Sequence, residues 1–425
     1  MDTSVDLPRP HAAPSAHSRV PASARALMTL LEQLELGQLH VTWPNGLHSV
    51  YGTATDHALQ AHLHLHNWEV CAQALKSGDI GFAEGFIAGH WTTKNLVDLL
   101  RLLIANRKVL ERVVYGHWWG RLAYRLRHLL NRNSKANSRK NIHAHYDLGN
   151  AFYQLWLDDT MNYSSAWFAS PTSDMRTAQQ AKVRRALQMT GLQAGDRVLE
   201  IGCGWGALAE MASTEFGANV VGVTLSTEQL DYAQARMSRV GTHTTPTMAA
   251  DRPWADLRLQ DYRDIGVTTP EQPFDAICSI EMLEAVGHQY WPTYFATVQR
   301  LLKPGGRACI QTITIDEEWF DRYLHSTDFI QQYIFPGGCL PSPSAFRAQA
   351  QAAGLVVMDE LAFGTDYART LAYWRERFLA QQSAVLALGF DERFLRIWDF
   401  YLAYCEAAFA ERNTNVMQFT LYKPT

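Results

Sequence analysis

The sequence predicts an α/β protein: a Rossmann-like, mostly parallel sheet in its C-terminal two thirds, preceded by a smaller α+β domain. Three observations carry this. From about residue 177 short apolar runs alternate with amphipathic helical stretches. One of those runs passes directly into a glycine-rich turn that opens a helix. The chain has 425 residues, 47% of them apolar and 19% charged, enough for two cores and too apolar for a chain disordered throughout.

In order, the C-terminal part reads as helix 177–190, strand 197–201, a glycine loop, helix 206–216, strand 218–223 and helix 227–240. Strand 256–260, strand 274–279, helix 289–302 and strand 306–312 follow. Short apolar strands separated by amphipathic helices belong to a parallel sheet covered on both faces. The last run, 415–422, is placed as an antiparallel edge closing that sheet.

The N-terminal part is divided differently. Residues 1–22 are rich in Pro, Ser, Ala and His and read as a disordered tail; without an apolar core segment they form no secretory signal. Residues 23–118 form the α+β domain. Ala24, Leu27, Leu30, Leu31 and Leu34 have helical spacing, and the β-like run 39–43 is closed by Pro44-Asn45-Gly46. Residues 67–105 are helical with a turn at Gly78-Asp79. This domain shows no catalytic constellation, and membrane engagement or oligomerisation is the role expected of it. Residues 119–142 are a linker with seven basic residues (Arg121, Arg125, Arg127, Arg132, Lys135, Arg139, Lys140) and no acid. It reads either as a solvated connector or as a contact for anionic lipid headgroups, with Trp118 and Trp119 as interfacial anchors. Residues 143–425 carry the sheet.

Composition narrows the function. Lys and Arg number 38 against 42 Asp and Glu, a net charge of −4, which argues against a general nucleic-acid binder. No stretch of about 18 uncharged apolar residues occurs, as a spanning helix would need. The six cysteines form no CxxC pair and none has zinc-finger spacing to a histidine, so free thiols in a cytoplasmic, reducing setting are expected and no metal is. Aromatics at 11%, with 13 Trp, hint at an aromatic-lined pocket.

The chemistry concentrates in Val198-Leu199-Glu200-Ile201-Gly202-Cys203-Gly204-Trp205-Gly206-Ala207. Glycines let a backbone approach a ligand closely and turn into a helix whose first amides face it. The spacing also fits a dinucleotide fingerprint. Two features argue otherwise. Glu200 is poised for a ligand ammonium, and the second strand ends in the hydroxyl-bearing Thr224-Leu225-Ser226 where a dinucleotide fold wants an acid. The turn is therefore read as binding S-adenosylmethionine over Gly202, Gly204 and Gly206, with Thr224 and Gln229 toward the ribose or methionine and Asp261 toward the adenine.

Several blocks then resemble the cyclopropane fatty acid synthase family of S-adenosylmethionine-dependent methyltransferases. They are His145-Tyr146-Asp147-Leu148-Gly149-Asn150-Ala151-Phe152-Tyr153, residues 161–168 (MNYSSAWF, with Tyr163 and Ser164 on the cofactor side), residues 200–206, 222–229, 281–287 (EMLEAVG), 329–342 (FIQQYIFPGGCLPS) and 366–371. The blocks span 143–378, and residues 78–100 resemble the family's N-terminal domain. The resemblance implies a Rossmann-like methyltransferase sheet and methyl transfer to a cis double bond of an unsaturated phospholipid acyl chain, closing a cyclopropane ring. It implies a protein peripheral to the inner face of the membrane, and it leaves a homodimer open.

The same resemblance implies a base in the form of bound bicarbonate. Glu284 matches its holding glutamate, Tyr367 its tyrosine, and Ile313 the residue whose backbone helps. Two positions depart: Ser165 stands for a cysteine and Gln311 for a histidine. Ser and Gln still offer hydrogen bonds, but Gln311 carries neither proton nor charge. Direct deprotonation by Glu284 is one consequence; a methyl- or methylene-branched product in place of the ring is another. The segment 329–338 is expected to line the acyl channel. Glu284 as a helix cap, Tyr163 and Tyr367 as core aromatics, and Ser165 and Gln311 as structural partners are the plainer alternatives. A non-catalytic lipid-binding protein and an NAD-dependent oxidoreductase are the rivals in other classes.

Overall fold

The computed structural model describes residues 20–54, 59–114, 148–242, 253–267 and 269–425. The basic linker, Trp118, Trp119, the tail up to residue 19 and the His145-Tyr146-Asp147 block lie outside the described residues.

The N-terminal part opens with helix Ala22–Leu31 and builds a four-stranded sheet from β1 (Gln38–Thr42), β2 (His48–Gly52), β3 (Gln60–Leu65) and β4 (Trp91–Thr92), in the order β2-β1-β3-β4. β1 pairs antiparallel with β2 through the Pro44-Asn45-Gly46 turn and parallel with β3. Alternation places Leu39 and Val41, then Ala61, Leu63 and Leu65, on the covered face. Helices Glu69–Ser77, Asp79–Ile87 and Leu96–Ala105 cover it. The last is capped by Asn95, whose side chain accepts from the amides of Val97 and Asp98.

The second sheet has seven strands: β5 (Arg197–Ile201), β6 (Asn219–Thr224), β7 (Ala255–Leu259), β8 (Phe274–Ile280), β9 (Leu302–Ile315), β10 (Val356–Ala362) and β11 (Thr414–Tyr422). Their order is β10-β11-β9-β8-β5-β6-β7. β5 to β9 run parallel, and β5, β6 and β8 are buried along nearly their whole length, as their unbroken apolar runs require. One expectation is corrected. The run 415–422 is antiparallel, but it is an interior strand between β9 and β10, not an edge. Its residues Val416–Leu421 are all buried, so both sides need cover, and β10 supplies the outer one.

A single apolar cluster joins the N-terminal part to the last helices. Leu39, Trp91 and Leu99 belong to it together with Phe329, Trp374 and Phe400. Polar links follow the same seam: Arg101 Nε to Glu411 at 2.7 Å, Tyr333 OH donating to Glu84 at 2.6 Å, and the Phe329 amide donating to Asp79 at 3.1 Å. Among the described residues, no helix is long and apolar enough to cross a membrane.

Candidate active site

The glycine turn follows β5 and is folded tightly on itself. The amides of Gly202 and Cys203 both donate to the Val223 carbonyl, and that of Gly206 to the Cys203 carbonyl. All three glycines have positive φ: +85°, +49° and +81°. A Cβ at Gly202 would lie 2.5 Å from Cγ of Met282, whereas one at Gly204 would meet nothing within 4 Å. Gly202 is therefore a packing requirement, and Gly204 faces open space beside the cleft it lines. Arg236 braces the turn from behind, donating to the carbonyls of Trp205 and Thr160.

All but one of the cofactor residues expected from sequence line this one cleft: Tyr163, Ser164, Glu200, Gly202, Gly204, Thr224, Gln229 and Asp261. Gly206 does not; it caps the following helix, where a Cβ would lie 2.9 Å from Ala233 Cβ. Thr224 donates to Gln229 at 3.0 Å, so the two fix each other. Asp261 holds Arg263 through both carboxylate oxygens and caps the turn that follows. Glu200 is buried, its pKa raised by loss of water and opposed by the Ala209 amide, Lys182 and Arg236. One of its oxygens, Oε2, has no hydrogen-bond partner. A buried carboxylate oxygen without a donor at the head of a glycine turn suits a ligand ammonium, and on that ground the cleft fits S-adenosylmethionine. Cys203 is no nucleophile: burial pushes its thiol well up, so the thiolate is suppressed.

The structure adds a second carboxylate to the anion site. The sequence reading places Ser165, Gln311, Tyr367 and Ile313 with Glu284 about a bound bicarbonate. Three of these four converge on Glu281. Its Oε1 accepts from the Ser165 amide at 2.8 Å and from Gln311 Nε2 at 2.7 Å, and its Oε2 accepts from the Tyr367 hydroxyl at 2.7 Å. Ser165 acts through its backbone; its hydroxyl donates to the Ala166 carbonyl instead. Gln311 is oriented by Gln418, whose amide donates to Gln311 Oε1 at 3.0 Å and whose own oxygen accepts from Arg185. Only the Ile313 amide goes to Glu284, joined by the Thr312 hydroxyl at 2.9 Å; Glu284 Oε2 has no partner. Glu284 is no helix cap.

Two carboxyls this close cannot both ionise readily. Burial and then the charge on Glu281 push Glu284 up to about 8. Burial raises Glu281 as well, but Lys182 and the Tyr367, Ser165 and Gln311 donors oppose it. Three donors and the Lys182 charge favour the carboxylate form of Glu281 over that of Glu284, which has two donors and the higher claim on a proton. Lys182 is itself fully buried, donates to Ser164 Oγ at 2.5 Å, and is drawn down to about 8 by burial, against the pull of Glu281, Asp158 and Glu200.

Beside the cleft lies a cavity of about 1000 Å³, mostly apolar, lined by Leu27, Leu63 and Val70 from the N-terminal part and by Glu284, Ile313 and Tyr367 from the C-terminal part. That is the upper end of the size range of ligand pockets, about 300–1000 Å³. Ile330, Gln331, Phe335 and Gly338 line it, as expected for the 329–338 segment. The N-terminal domain supplies a wall of the cavity, a role its sequence did not disclose. Tyr163, Glu281 and Ala285 border both the cleft and the cavity.

Comparison with known proteins gives the family. The model of the mycolic acid cyclopropane synthetase family matches residues 133–419. The chain belongs to that family. It is 38% identical over 384 residues to the tuberculostearic acid methyltransferase UfaA1 of Mycobacterium tuberculosis, covering 88% of this chain and 86% of the relative. It is 35% identical over 374 residues to the cyclopropane-fatty-acyl-phospholipid synthase of Escherichia coli strain K12, covering 88% and 91%. The solved structure of the mycolic acid cyclopropane synthase CmaA1, complexed with SAH and CTAB, superposes with a TM-score of 0.60 at 32% identity, over 67% of this chain and 98% of that one.

As a member of this family the chain is an S-adenosylmethionine-dependent methyltransferase, and the cleft at the glycine turn is where its residues fit that cofactor. The residue missed from sequence is Glu281. It stands three before Glu284 in the same block, and its signal, a second carboxylate in EMLEAVG, was visible without its donors.

Proposed function

We propose that this enzyme methylates a cis double bond in an unsaturated phospholipid acyl chain and closes a cyclopropane ring by loss of a proton. The observation that carries the reading is the shared wall: the polar cleft and the long apolar cavity meet at Tyr163, Glu281 and Ala285. S-adenosylmethionine in the cleft supplies an electrophilic methyl group. The chain's residues do the rest. The apolar walls take up the acyl chain and exclude water. An alkene is a weak nucleophile, so the cavity must hold it in near-attack geometry against the cleft. The rings of Tyr163, Phe335, Tyr401 and Phe409 face the cavity and offer π-electron density to a carbocation, an interaction of about 2 kcal/mol or more once desolvated. A carboxylate at the junction takes the proton.

A methyl- or methylene-branched product is the second reading. The relative named a tuberculostearic acid methyltransferase and the amide of Gln311 at the anion site favour it. The ring and the methylene branch come from the same cation, and a hydride shift before proton loss separates them; a saturated methyl branch needs a separate hydride donor that reduces the methylene branch. The enzyme would work from the cytoplasmic side as a peripheral protein, with the basic 121–140 segment near the lipid headgroups.

The test is mass spectrometry of lipids from a host expressing the chain and fed methyl-labelled methionine, with and without diimide reduction. A species one labelled methylene unit heavier than the substrate that resists diimide is the ring; one that takes up two hydrogens is the methylene branch; one that resists diimide but already carries two further hydrogens is the saturated methyl branch. Absence of label from acyl chains rejects both.

A further inference from the structure

We propose that Glu281 is the catalytic base of this enzyme, a carboxylate of the chain itself occupying an anion cradle and removing the need for a bound bicarbonate. The inference rests on the acyl-methylation reading and deepens it.

The geometry argues this in three steps. First, the cradle is full. The Ser165 amide, Gln311 Nε2 and the Tyr367 hydroxyl, all within 2.8 Å, are spent on Glu281. Ser165 and Gln311 are fully buried and do not border the cavity, so they act on a reacting group only through Glu281; they are positioning residues. Second, Glu281 is the only carboxylate bordering both the cleft and the cavity among their described lining residues, which places it where the methyl group crosses from one to the other. Oε2 accepts one hydrogen bond among the described contacts and keeps a lone pair for a proton. Third, the backbone is bent to put it there. Glu281 has φ +50°, directly after β8, a conformation that disfavours every side chain and suits glycine. Its amide donates to the Gln311 carbonyl at 2.8 Å, so the strained turn is tied to the strand that also carries the Gln311 donor. Strain of this kind at a buried carboxyl is found where a function holds it.

The step balances. The alkene π pair forms the new carbon–carbon bond to the methyl group, and the carbon–sulfur pair remains on sulfur. The positive charge passes to the neighbouring chain carbon. Glu281 Oε2 takes one proton from the new methyl group, and the freed C–H pair closes the ring, or after a hydride shift becomes the methylene double bond. The proton leaves Glu281 for water when the product departs.

The experiment compares the full-length wild type with Glu281→Gln and Glu281→Gly on vesicles of cis-unsaturated phospholipid, in buffer stripped of bicarbonate and in buffer supplied with sodium bicarbonate or sodium formate. Glycine relieves the backbone strain, so that variant should fold. Wild-type turnover should be the same with and without bicarbonate. Glu281→Gln should lose about a hundredfold or more in kcat, the range for removal of a general base, while S-adenosylmethionine affinity by calorimetry changes less than about threefold. Glu281→Gly should be equally slow and regain at least about tenfold when formate or bicarbonate enters the vacated cradle. The assignment is overturned by a Glu281→Gln enzyme within about tenfold of wild type, by wild-type activity that collapses without bicarbonate, by loss of cofactor affinity in both variants, or by a Glu281→Gly enzyme that neither anion revives. A wild type that labels no acyl chain overturns the acyl-methylation reading and this assignment together, whereas labelled product from an active Glu281→Gln overturns this assignment alone.

Discussion

The cleft and the cavity that meet at Glu281 are built by opposite means. The cleft is shaped by backbone: three positive-φ glycines, amides tied to the Val223 carbonyl, and short polar side chains that hold one another. The cavity is shaped by side-chain area drawn from the N-terminal sheet, the 329–338 segment and the last long helix, Glu392–Ala410. A backbone-built site tolerates almost no change at its turning residues and binds one ligand shape. A side-chain-built site yields to volume, so a change there should grade affinity rather than abolish it. Chemistry sits on the shared wall, where neither part alone supplies both a methyl donor and a dry alkene.

The largest effect outside that wall belongs to the cleft. Gly204→Val asks a β-branched residue to hold φ +49°, a strain of roughly 1–2 kcal/mol, and sets its side chain at the edge of the ligand space. S-adenosylmethionine affinity by calorimetry should fall on the order of a hundredfold. Unchanged affinity would break the comparison by placing the cofactor elsewhere.

A graded loss is expected from the cavity. Ala74 lies on the N-terminal helix Glu69–Ser77 and lines the cavity. Ala74→Trp should raise KM for an unsaturated long-chain phospholipid by about tenfold and leave cofactor affinity unaltered. An equal loss of both would mean that the two sites are not separately built.

Glu284→Gln sharpens the wall itself. Glu284 already carries the proton at neutral pH, so kcat should stay within about threefold of wild type, in contrast to Glu281→Gln. Stability should report the change instead. The pKa of Glu284, pushed up to about 8, lies above that of an unfolded glutamate, about 4.3. Its contribution is therefore complete below the unfolded value and lost as pH rises through about 8. The wild-type Tm should fall more steeply from pH 5 to pH 9 than that of Glu284→Gln, measured by scanning calorimetry. Parallel curves would remove the proton from Glu284.

The smallest effect is that of Gln311→His. An imidazole can still donate to Glu281 and meet Gln418, so turnover should stay within a few-fold, about the worth of one exchanged hydrogen bond. A new inflection in the pH–rate profile near 6–7 should appear, because histidine titrates there. A profile identical to that of wild type would show that position 311 does not sense the reacting charge.

What could be read along the chain was what contiguous residues decide. The alternation of apolar runs and amphipathic helices determined the parallel sheet, and the ten residues from Val198 to Ala207 determined the turn, the cofactor class and the role of Glu200, because strand, turn and helix start are set by neighbours in sequence. The antiparallel direction of 415–422 was legible; its interior place was not, since only the position of Val356–Ala362 beside it makes it interior. Tertiary structure alone decided which carboxyl gathers the donors. Glu281 and Glu284 stand one short turn apart in the same block, and no local pattern says which will meet donors that lie 116, 30 and 86 residues away. The positive φ at Glu281 turns its side chain toward Ser165, Gln311 and Tyr367, and leaves Glu284 to the Ile313 amide. The cavity has the same origin: Leu27, Leu63 and Val70 carry no local signal of a ligand space, and they line one because the N-terminal helices Asp79–Ile87 and Leu96–Ala105 pack against Glu392–Ala410.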